Sequence, residues 1–353
     1  MCPLVPDATK HHASVMDVGL VVAIAIALAF ALTNGFHDAS NAIATLVATR
    51  GATPGQAVLL SATFNMLGAV LLGTAVADTI GKIVQVPDDQ VVLVVGSGLA
   101  GATTWNLVTW WRGLPSSSGH ALVGGLVGAA LAEGGTSAVN WGGMDGLHPV
   151  GVIGTLVALF VSPPIGFAVG WVLIRVLRRI SRPWTRRWRG PVIGGEWFAS
   201  AALSYSHGAN DAQKSMGVIA ALLLGAGVTD SLVVPLWVKV MTGLVLTLGT
   251  AAGGWRIVKT VGRRIFGIRP LDSFASQTAS TSVIFSASIL GAPVSTTQIV
   301  ASSVIGIGGG RRRWRHVRWE IVREMLIAWL TTIPAAALLA VAFLFVAKGV
   351  EAL

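Results

Sequence analysis

The chain has 353 residues, of which 53% are hydrophobic and only 11% charged, and its mean hydropathy is +0.72. A soluble domain needs about 25% charged residues to cover its surface, so this composition excludes an ordinary soluble protein. Apolar stretches recur from Val18–Leu32 to Ile327–Val346, which is typical of a polytopic α-helical membrane protein. The net charge of +10 does not indicate nucleic-acid binding, because most basic residues fall in three short segments between apolar spans. A single cysteine, Cys2, excludes an intrachain disulfide.

The chain begins with a tail over residues 1–16, which we expect to be external. The apolar segment Val18–Leu32 has a length that suits a signal peptide. Its flank is only weakly basic, however, and it runs directly into the polar motif NGFHDASN at residues 34–41, so we expect no cleavage. The whole stretch is longer than the roughly 20 residues of one straight crossing, and Gly35 has poor helix propensity. We therefore predict a helix that is broken at the polar motif.

Two motifs of the first half recur in the second half in the same order. NGFHDASN aligns with HGANDAQK at residues 207–214, which places Asp38 opposite Asp211. The segment GLPSSSGH at residues 113–120 aligns with GAPVSTTQ at residues 291–298. Two matches in order and at nearly the same spacing indicate an internal duplication.

The charges of the intervening loops indicate that the two copies are inverted. In the second copy, the stretch between the motifs contains the basic segment Arg256–Arg269, which predicts a cytoplasmic location. The corresponding stretch of the first copy contains Asp78, Lys82, Asp88 and Asp89, which predicts an external location. Equivalent loops on opposite sides of the membrane are typical of the inverted-topology repeats of secondary transporters.

We therefore predict an all-α polytopic membrane protein, an inverted-topology repeat of two halves with broken or re-entrant helices and about 10–12 transmembrane segments. The predicted parts after the tail are a first inverted repeat at 17–147, a connecting span and basic cytoplasmic linker at 148–196, a second inverted repeat at 197–310, and a basic cytoplasmic loop with the last transmembrane helix at 311–353. We expect the plasma (inner) membrane as the location, with the basic loops cytoplasmic and both termini external.

Hydroxyl residues follow a proline in both copies of the second motif, and an apolar run follows each cluster. This order predicts helix N-termini, whose free N–H groups and positive dipole end suit an oxyanion. Two such termini related by duplication can enclose a tetrahedral anion. The alternative is that the hydroxyls only cap helices or pack as small residues. The residues concerned are Ser116, Ser117, Ser118, Ser295, Thr296 and Thr297.

Asp38 and Asp211 are functional candidates, since an aspartate near mid-membrane costs about 2.5–3.5 kcal/mol on insertion scales. We expect Asn41 and Lys214, one turn away, to be their partners; a satisfied polar contact between helices is the alternative. A carboxylate repels an anion unless a cation or proton neutralises it, and this dependence is the basis of ion-coupled cotransport. Amides and the carbonyls of an unwound helix suit Na⁺, whereas a lone aspartate suits H⁺. His37 either relays a proton or forms a local hydrogen bond.

The four motifs closely resemble the paired signatures of the inorganic phosphate transporter (PiT) family, and the resemblance extends from about Asp17 to Val346. It implies secondary symport of inorganic phosphate with Na⁺ or H⁺, an inverted duplication and a homodimer in the lipid membrane. No cofactor is implied, although some bacterial members carry phosphate as a neutral complex with a divalent metal.

The resemblance also assigns roles by position. Phosphate binding is implied for the two hydroxyl clusters together with Asn41 and Asn210. The resemblance implies Asp38, Asn41 and Asp211 as residues of the coupling-ion site. From the residues themselves we add Lys214 and His37 as candidates for the same site. Asp38 and Asp211 would be metal ligands only in a Na⁺-coupled member. Lys214 stands where the more symmetric, Na⁺-coupled signature has Asn, and its ammonium would take the electrostatic role of a bound Na⁺. We therefore hypothesise H⁺ coupling, as in the bacterial low-affinity type.

Two other classes of function compete with symport. An intramembrane hydrolase or acyltransferase could use His37, Asp38 and Ser117, although the sequence has no nucleophile-elbow pattern. A passive anion channel is the third possibility, but acidic residues at the site favour a coupled carrier.

Overall fold

The computed structural model consists almost entirely of α-helices, as the sequence predicts. It describes residues 8–114, 116–252, 267–312 and 314–351. The predictions for Cys2 and for the basic residues at 256–264 lie outside these ranges.

Eleven α-helices and one β-hairpin make up the described residues, with short 3₁₀ turns between some of them. The helices are α1 (Ala8–Ala48), α2 (Pro54–Leu71), α3 (Ala75–Gly81), α4 (Asp88–Arg112), α5 (Ser118–Gly134), α6 (Gly151–Ile180), α7 (Arg189–Gly225), α8 (Leu236–Ala252), α9 (Pro270–Ile289), α10 (Thr296–Gly310) and α11 (Trp319–Glu351). The hairpin pairs β1 (Gly143–Asp145) with β2 (His148–Val150) in antiparallel register.

The helix boundaries follow local signals in the sequence. Thr53 and Gln56 form a reciprocal capping box ahead of α2. Helix α4 ends at Gly113, whose φ of 69° suits a left-handed C-cap. Ser117 and Ser295 are the N-caps of α5 and α10, and each side chain accepts a backbone N–H three residues on. The prediction that both hydroxyl motifs form helix N-termini is therefore confirmed.

The predicted breaks at the polar motifs are wrong, because α1 and α7 run without interruption through residues 34–41 and 207–214. The glycines serve close helix contact instead of a break. A Cβ atom on Gly35 would clash with the carbonyl oxygen of Leu246 in α8, and one on Gly208 with that of Asn65 in α2. Close contact between small residues stabilises membrane helices, and a long helix can tilt in the bilayer instead of breaking.

The helices pack in a reciprocal pattern. Helix α1 packs against α8 while α7 packs against α2, and α5 packs against α11 while α10 packs against α6. Gly249 of α8 and Gly68 of α2 complete the two glycine contacts from the partner side. The pattern matches the duplication seen in the sequence. The opposite membrane orientation of the two halves stays a prediction.

Six helices are long and apolar enough, by length and composition, to cross a membrane within the described residues. They are Val18–Ala48, Pro54–Leu71, Asp88–Arg112, Ser118–Ala138, Gly151–Ile180 and Trp319–Val350, and α8 is a shorter apolar helix. Helix α7 falls outside this set although its central residues are buried in the protein. The largest apolar core surrounds Phe30, Leu99, Leu126 and Met216, and the polar motif of α7 lies next to it.

Candidate functional site

Asp38 lies on α1 at the point where α5 and α10 begin, and its side chain is buried. Its Oδ1 accepts a hydrogen bond of 2.5 Å from the hydroxyl of Thr297, and its Oδ2 accepts one of 3.1 Å from Ser118. The Nδ1 atom of His37 lies 3.3 Å from Oδ1. Because Ser118 and Thr297 stand in the first turns of α5 and α10, two helix N-termini meet at one carboxylate.

Asp211 lies on α7, is equally buried, and has a different set of partners. Its Oδ1 forms an ion pair with the ammonium of Lys214, which also donates a 2.7 Å hydrogen bond to the carbonyl oxygen of Val294. Its Oδ2 accepts a hydrogen bond of 2.9 Å from the hydroxyl of Thr296 and lies 2.9 Å from Nε2 of His207. The predicted pairing of Lys214 with Asp211 is confirmed, and the lysine balances the charge of this carboxylate.

Asn41 connects the two carboxylates through the hydroxyls of α10. Its Nδ2 lies 3.4 Å from Oγ1 of Thr296 and 3.1 Å from Oγ1 of Thr297, so it donates to the threonines and not to Asp38 as predicted. The threonines in turn donate to Asp211 and Asp38 respectively. The Oδ1 atom of Asn41 is buried and has no hydrogen-bond partner among the described residues. This leaves one acceptor open to a ligand that carries a proton.

Besides Asn41, four of the residues predicted for phosphate binding form hydrogen bonds to groups other than the two carboxylates. The hydroxyl of Ser116 donates to that of Thr109 at 2.9 Å. The oxygens of Ser117 and Ser295 accept amides of their own helices, so both side chains act as caps. Asn210 donates to the hydroxyl of Ser288 at 3.0 Å and to the carbonyl of Ala292 at 3.2 Å, and so holds the end of α9.

His37 has local hydrogen-bond partners at both ring nitrogens. Its Nε2 lies 3.2 Å from the hydroxyl of Ser116 and 3.3 Å from that of Thr109, and Ser116 donates to Thr109. The hydroxyl of Ser117 contacts Nδ1 of His120 at 2.7 Å instead of His37. The arrangement of His37, Asp38 and Ser117 that a hydrolase would need is therefore absent.

His207 and Asn65 belong to the site although the sequence did not single them out. Thr250 donates its only hydroxyl proton to the carbonyl of Leu246, so its oxygen accepts from Nδ2 of Asn65 at 3.0 Å. The side-chain Oδ1 of Asn65 then accepts Nδ1–H of His207 at 3.0 Å, which turns Nε2 of His207 toward Asp211. In the sequence, the one feature that could have pointed to this part of the site is the polar side chain of Asn65 within an otherwise apolar stretch of α2.

Three of these groups could hold a cation. The ligand atoms of Asp38, His207 and Asp211 all lie within 4.8 Å of one another, and carboxylate with imidazole is a common ligand combination. Two features make the fit to Na⁺ poor. The ammonium of Lys214 already contacts Oδ1 of Asp211, and the carbonyls of α1 and α7 are not freed by an unwound segment.

The family of the chain follows from its sequence relatives. The model of the Phosphate transporter family matches residues 34–340. The chain belongs to this family. A probable low-affinity inorganic phosphate transporter of Rhizobium meliloti (strain 1021) is 41% identical over 330 residues, which cover 93% of this chain and 96% of that relative. A protein of the same description from Bacillus subtilis (strain 168) is 38% identical over 310 residues, which cover 87% of this chain and 90% of that relative.

This member of the phosphate transporter family also has a structural neighbour. A solved structure described as the sodium-dependent phosphate transporter matches with a TM-score of 0.82 over 94% of this chain and 99% of its own. At 24% identity, this likeness shows the shared fold. The relatives and the fold are those of phosphate transporters and not of an enzyme. With its apolar helices, the chain is an integral membrane protein.

Proposed function

We propose that this member of the phosphate transporter family is a secondary active symporter that imports inorganic phosphate across the plasma membrane, coupled to H⁺, by alternating access. The observation that carries the proposal is the meeting of two helix N-termini at the buried carboxylate of Asp38. The relatives described as low-affinity inorganic phosphate transporters support phosphate as the substrate.

The anion binds between the first turns of α5 and α10. The first amides of a helix have no intrahelical partner, and among the first amides of α5 and α10 the caps Ser117 and Ser295 each accept the one three residues on. The preceding amides, at Ser118 and Thr296 among others, are therefore available to phosphate oxygens, and the positive ends of two helix dipoles favour the negative charge. The open Oδ1 of Asn41 accepts a hydrogen bond from a protonated oxygen of the phosphate.

Proton binding to Asp38 couples the two substrates. When Asp38 is ionised, the hydroxyl protons of Ser118 and Thr297 are directed at its oxygens. A hydroxyl has only one proton to donate, so neither residue can then donate to an anion. Protonation of Asp38 removes the negative charge and releases both hydroxyl protons toward phosphate. Phosphate and H⁺ therefore bind together, which is the linkage that symport requires.

Na⁺ is the second candidate for the coupling ion, since the structural neighbour is described as sodium-dependent. Lys214 favours H⁺ here because its ammonium already supplies a positive charge at Asp211. In a Na⁺-coupled protein, Asp38 and Asp211 would be the metal ligands. A phosphate complex of a divalent metal is a further form of the substrate, which Asp38, His207 and Asp211 could contact.

Alternating access then uses the two packed halves. The reciprocal contacts of α1 with α8 and of α7 with α2 support two inverted repeats that rock against each other around the shared site. In this arrangement the basic loops face the cytoplasm and both termini lie outside. The protein works in the lipid bilayer as a homodimer.

The test is uptake of labelled phosphate into proteoliposomes that contain the purified protein. H⁺ and Na⁺ gradients are imposed separately, each with and without Mg²⁺. We expect accumulation above the equilibrium level with an inward H⁺ gradient alone. Accumulation that needs Na⁺ and ignores the H⁺ gradient would overturn the coupling assignment, and uptake that only equilibrates would indicate a channel. Stimulation by Mg²⁺ would support the metal complex as the transported form.

A further inference from the structure

Four arginines are grouped at the C-terminal end of α6. Arg175, Arg178 and Arg179 are spaced i, i+3 and i+4 in its last turns, so they share one face of the helix, and Arg182 follows in the turn beyond it. The topology of membrane proteins accounts for a basic loop at this position. It does not account for the way in which the side chains are arranged.

The four arginines, all of them exposed, line a cavity that is open to solvent, together with the end of a second helix. Gly310 at the end of α10 and Arg312 just beyond it complete the lining, and the cavity has a volume of about 630 Å³. Arg312 has a φ of 56°, in the left-handed region that a residue other than glycine rarely adopts. We call this space the arginine cavity.

The walls of the arginine cavity are built by close helix packing. Gly310 lies so near α6 that a Cβ atom on it would be 2.8 Å from the carbonyl oxygen of Trp171. The guanidinium of Arg175 lies 3.6 Å from the centre of the Trp171 ring, in a cation–π contact that orients the side chain. The cavity therefore has a defined wall and at least one oriented arginine.

The positive charge of the arginine cavity is not balanced by the described part of the chain. None of the five arginines forms an ion pair with a carboxylate of the described residues. Arginine is permanently charged, so the five exposed arginines that line this space repel each other, and solvent and salt screen part of that repulsion. The negative ends of the α6 and α10 dipoles offset part of this repulsion, equivalent to roughly half a charge each. An anion of several charges would offset the rest.

We propose that the arginine cavity binds an anion that carries several phosphate groups, either a soluble polyphosphate or the headgroup of an anionic lipid. Guanidinium groups bind phosphate oxygens in bidentate pairs, and five of them exceed what a single phosphate group needs. The volume lies within the range of about 300–1,000 Å³ that is usual for ligand pockets. The site does not depend on the proposed transport function. Its ligand would contact the same helix, α10, whose other end reaches Asp38, about 20 Å away.

The proposal is tested with the purified full-length protein and two probes. Binding of inorganic tripolyphosphate is measured by calorimetry in detergent, and retention of cardiolipin is measured by native mass spectrometry after reconstitution in cardiolipin or phosphatidylcholine nanodiscs. The test variant combines R178Q with R182Q. The control combines R315Q with R318Q, which removes the same charge from the neighbouring basic loop outside the cavity.

We expect the wild-type protein to bind at least one probe, the test variant to bind it at least tenfold more weakly, and the control to bind it within twofold of wild type. The probe that binds identifies the source of the phosphate groups. Equal weakening in both double variants would show only a diffuse basic surface and would overturn the proposal, as would the failure of both probes to bind. Thermal unfolding is measured for each variant, and the single variant R179Q replaces the test variant if that protein does not fold.

Discussion

The hydroxyl of Thr297 donates a hydrogen bond of 2.5 Å to Oδ1 of Asp38, although the two residues are 259 positions apart. The donor belongs to the second copy of the duplicated sequence and the acceptor to the first. The contact between α10 and α1 is therefore part of the site. If α10 moves, it must break this hydrogen bond or carry α1 with it. Movement between the two halves is thus linked to the protonation state of Asp38.

Replacement of Thr297 by valine should weaken phosphate binding. Valine keeps the shape of the side chain but removes the donor, and a hydrogen bond to a charged group contributes about 1.5–3 kcal/mol. We expect the half-saturation concentration for phosphate uptake to rise at least tenfold. The conservative variant Thr297→Ser should restore most of the affinity. An unchanged half-saturation concentration in the valine variant would count against this part of the site.

Ser117→Ala is the contrasting variant, because Ser117 caps α5 and its hydroxyl is hydrogen-bonded to His120 instead of Asp38. Loss of an N-cap costs about 1 kcal/mol of stability. We expect a lower thermal unfolding midpoint with little change in the half-saturation concentration. A larger effect on affinity than that of the Thr297 variant would show that the cap contacts phosphate directly.

Asp38→Asn and Asp211→Asn should each abolish coupled uptake. An amide at position 38 cannot exchange a proton, and an amide at position 211 leaves the buried ammonium of Lys214 without its counter-charge. We expect both proteins to insert in the membrane and to lose gradient-driven phosphate accumulation in proteoliposomes. Asp145→Asn, on the β-hairpin away from the site, is the matched control. Wild-type accumulation in either site variant would remove the central role of the carboxylates.

Lys214→Asn should make transport respond to Na⁺. The change removes the positive charge at Oδ1 of Asp211 and leaves an amide, so that a cation can take its place. We expect weak uptake without Na⁺ and a several-fold stimulation by a Na⁺ gradient in proteoliposomes. Wild-type protein serves as the control and should show no such stimulation. Uptake in the variant that remains driven by H⁺ and indifferent to Na⁺ would mean that Lys214 does not select the ion.

Gly208→Ala should destabilise the protein strongly. The new methyl group would clash with the carbonyl oxygen of Asn65 in α2, and overpacking of this kind costs about 1–3 kcal/mol. We expect a lower thermal unfolding midpoint in detergent and a loss of uptake, since Asn65 also orients His207. The matched control is Gly55→Ala in α2, where a Cβ atom meets nothing within 4 Å. If both variants unfold at the same temperature, α7 and α2 do not pack as closely at Gly208 as the structure indicates.

Much of the site could be predicted because the polar residues stand out in an apolar chain. Asp38, Asp211, Lys214 and the helix N-termini at the hydroxyl motifs were all recognisable from composition, spacing and the duplication. His207 was not recognisable as a site residue, because a single histidine can be a structural or a functional residue. Its orientation toward Asp211 depends on Asn65, which lies 142 positions away. The prediction also missed that α1 and α7 are continuous. The low helix propensity of glycine can be read from the local sequence, whereas the close packing of Gly35 and Gly208 against other helices depends on distant residues.

The sequence alone determined the membrane class, the duplication and the identity of the charged and hydroxyl groups, since these depend on residue type and order. Only the tertiary structure decided which hydroxyl reaches which carboxylate. Ser116, Ser117 and Ser118 are neighbours in the chain, yet they bond to Thr109, His120 and Asp38 respectively. A hydrogen bond forms only when the donor and acceptor lie within a narrow range of distance and angle. Here the packing of helices from distant segments sets both.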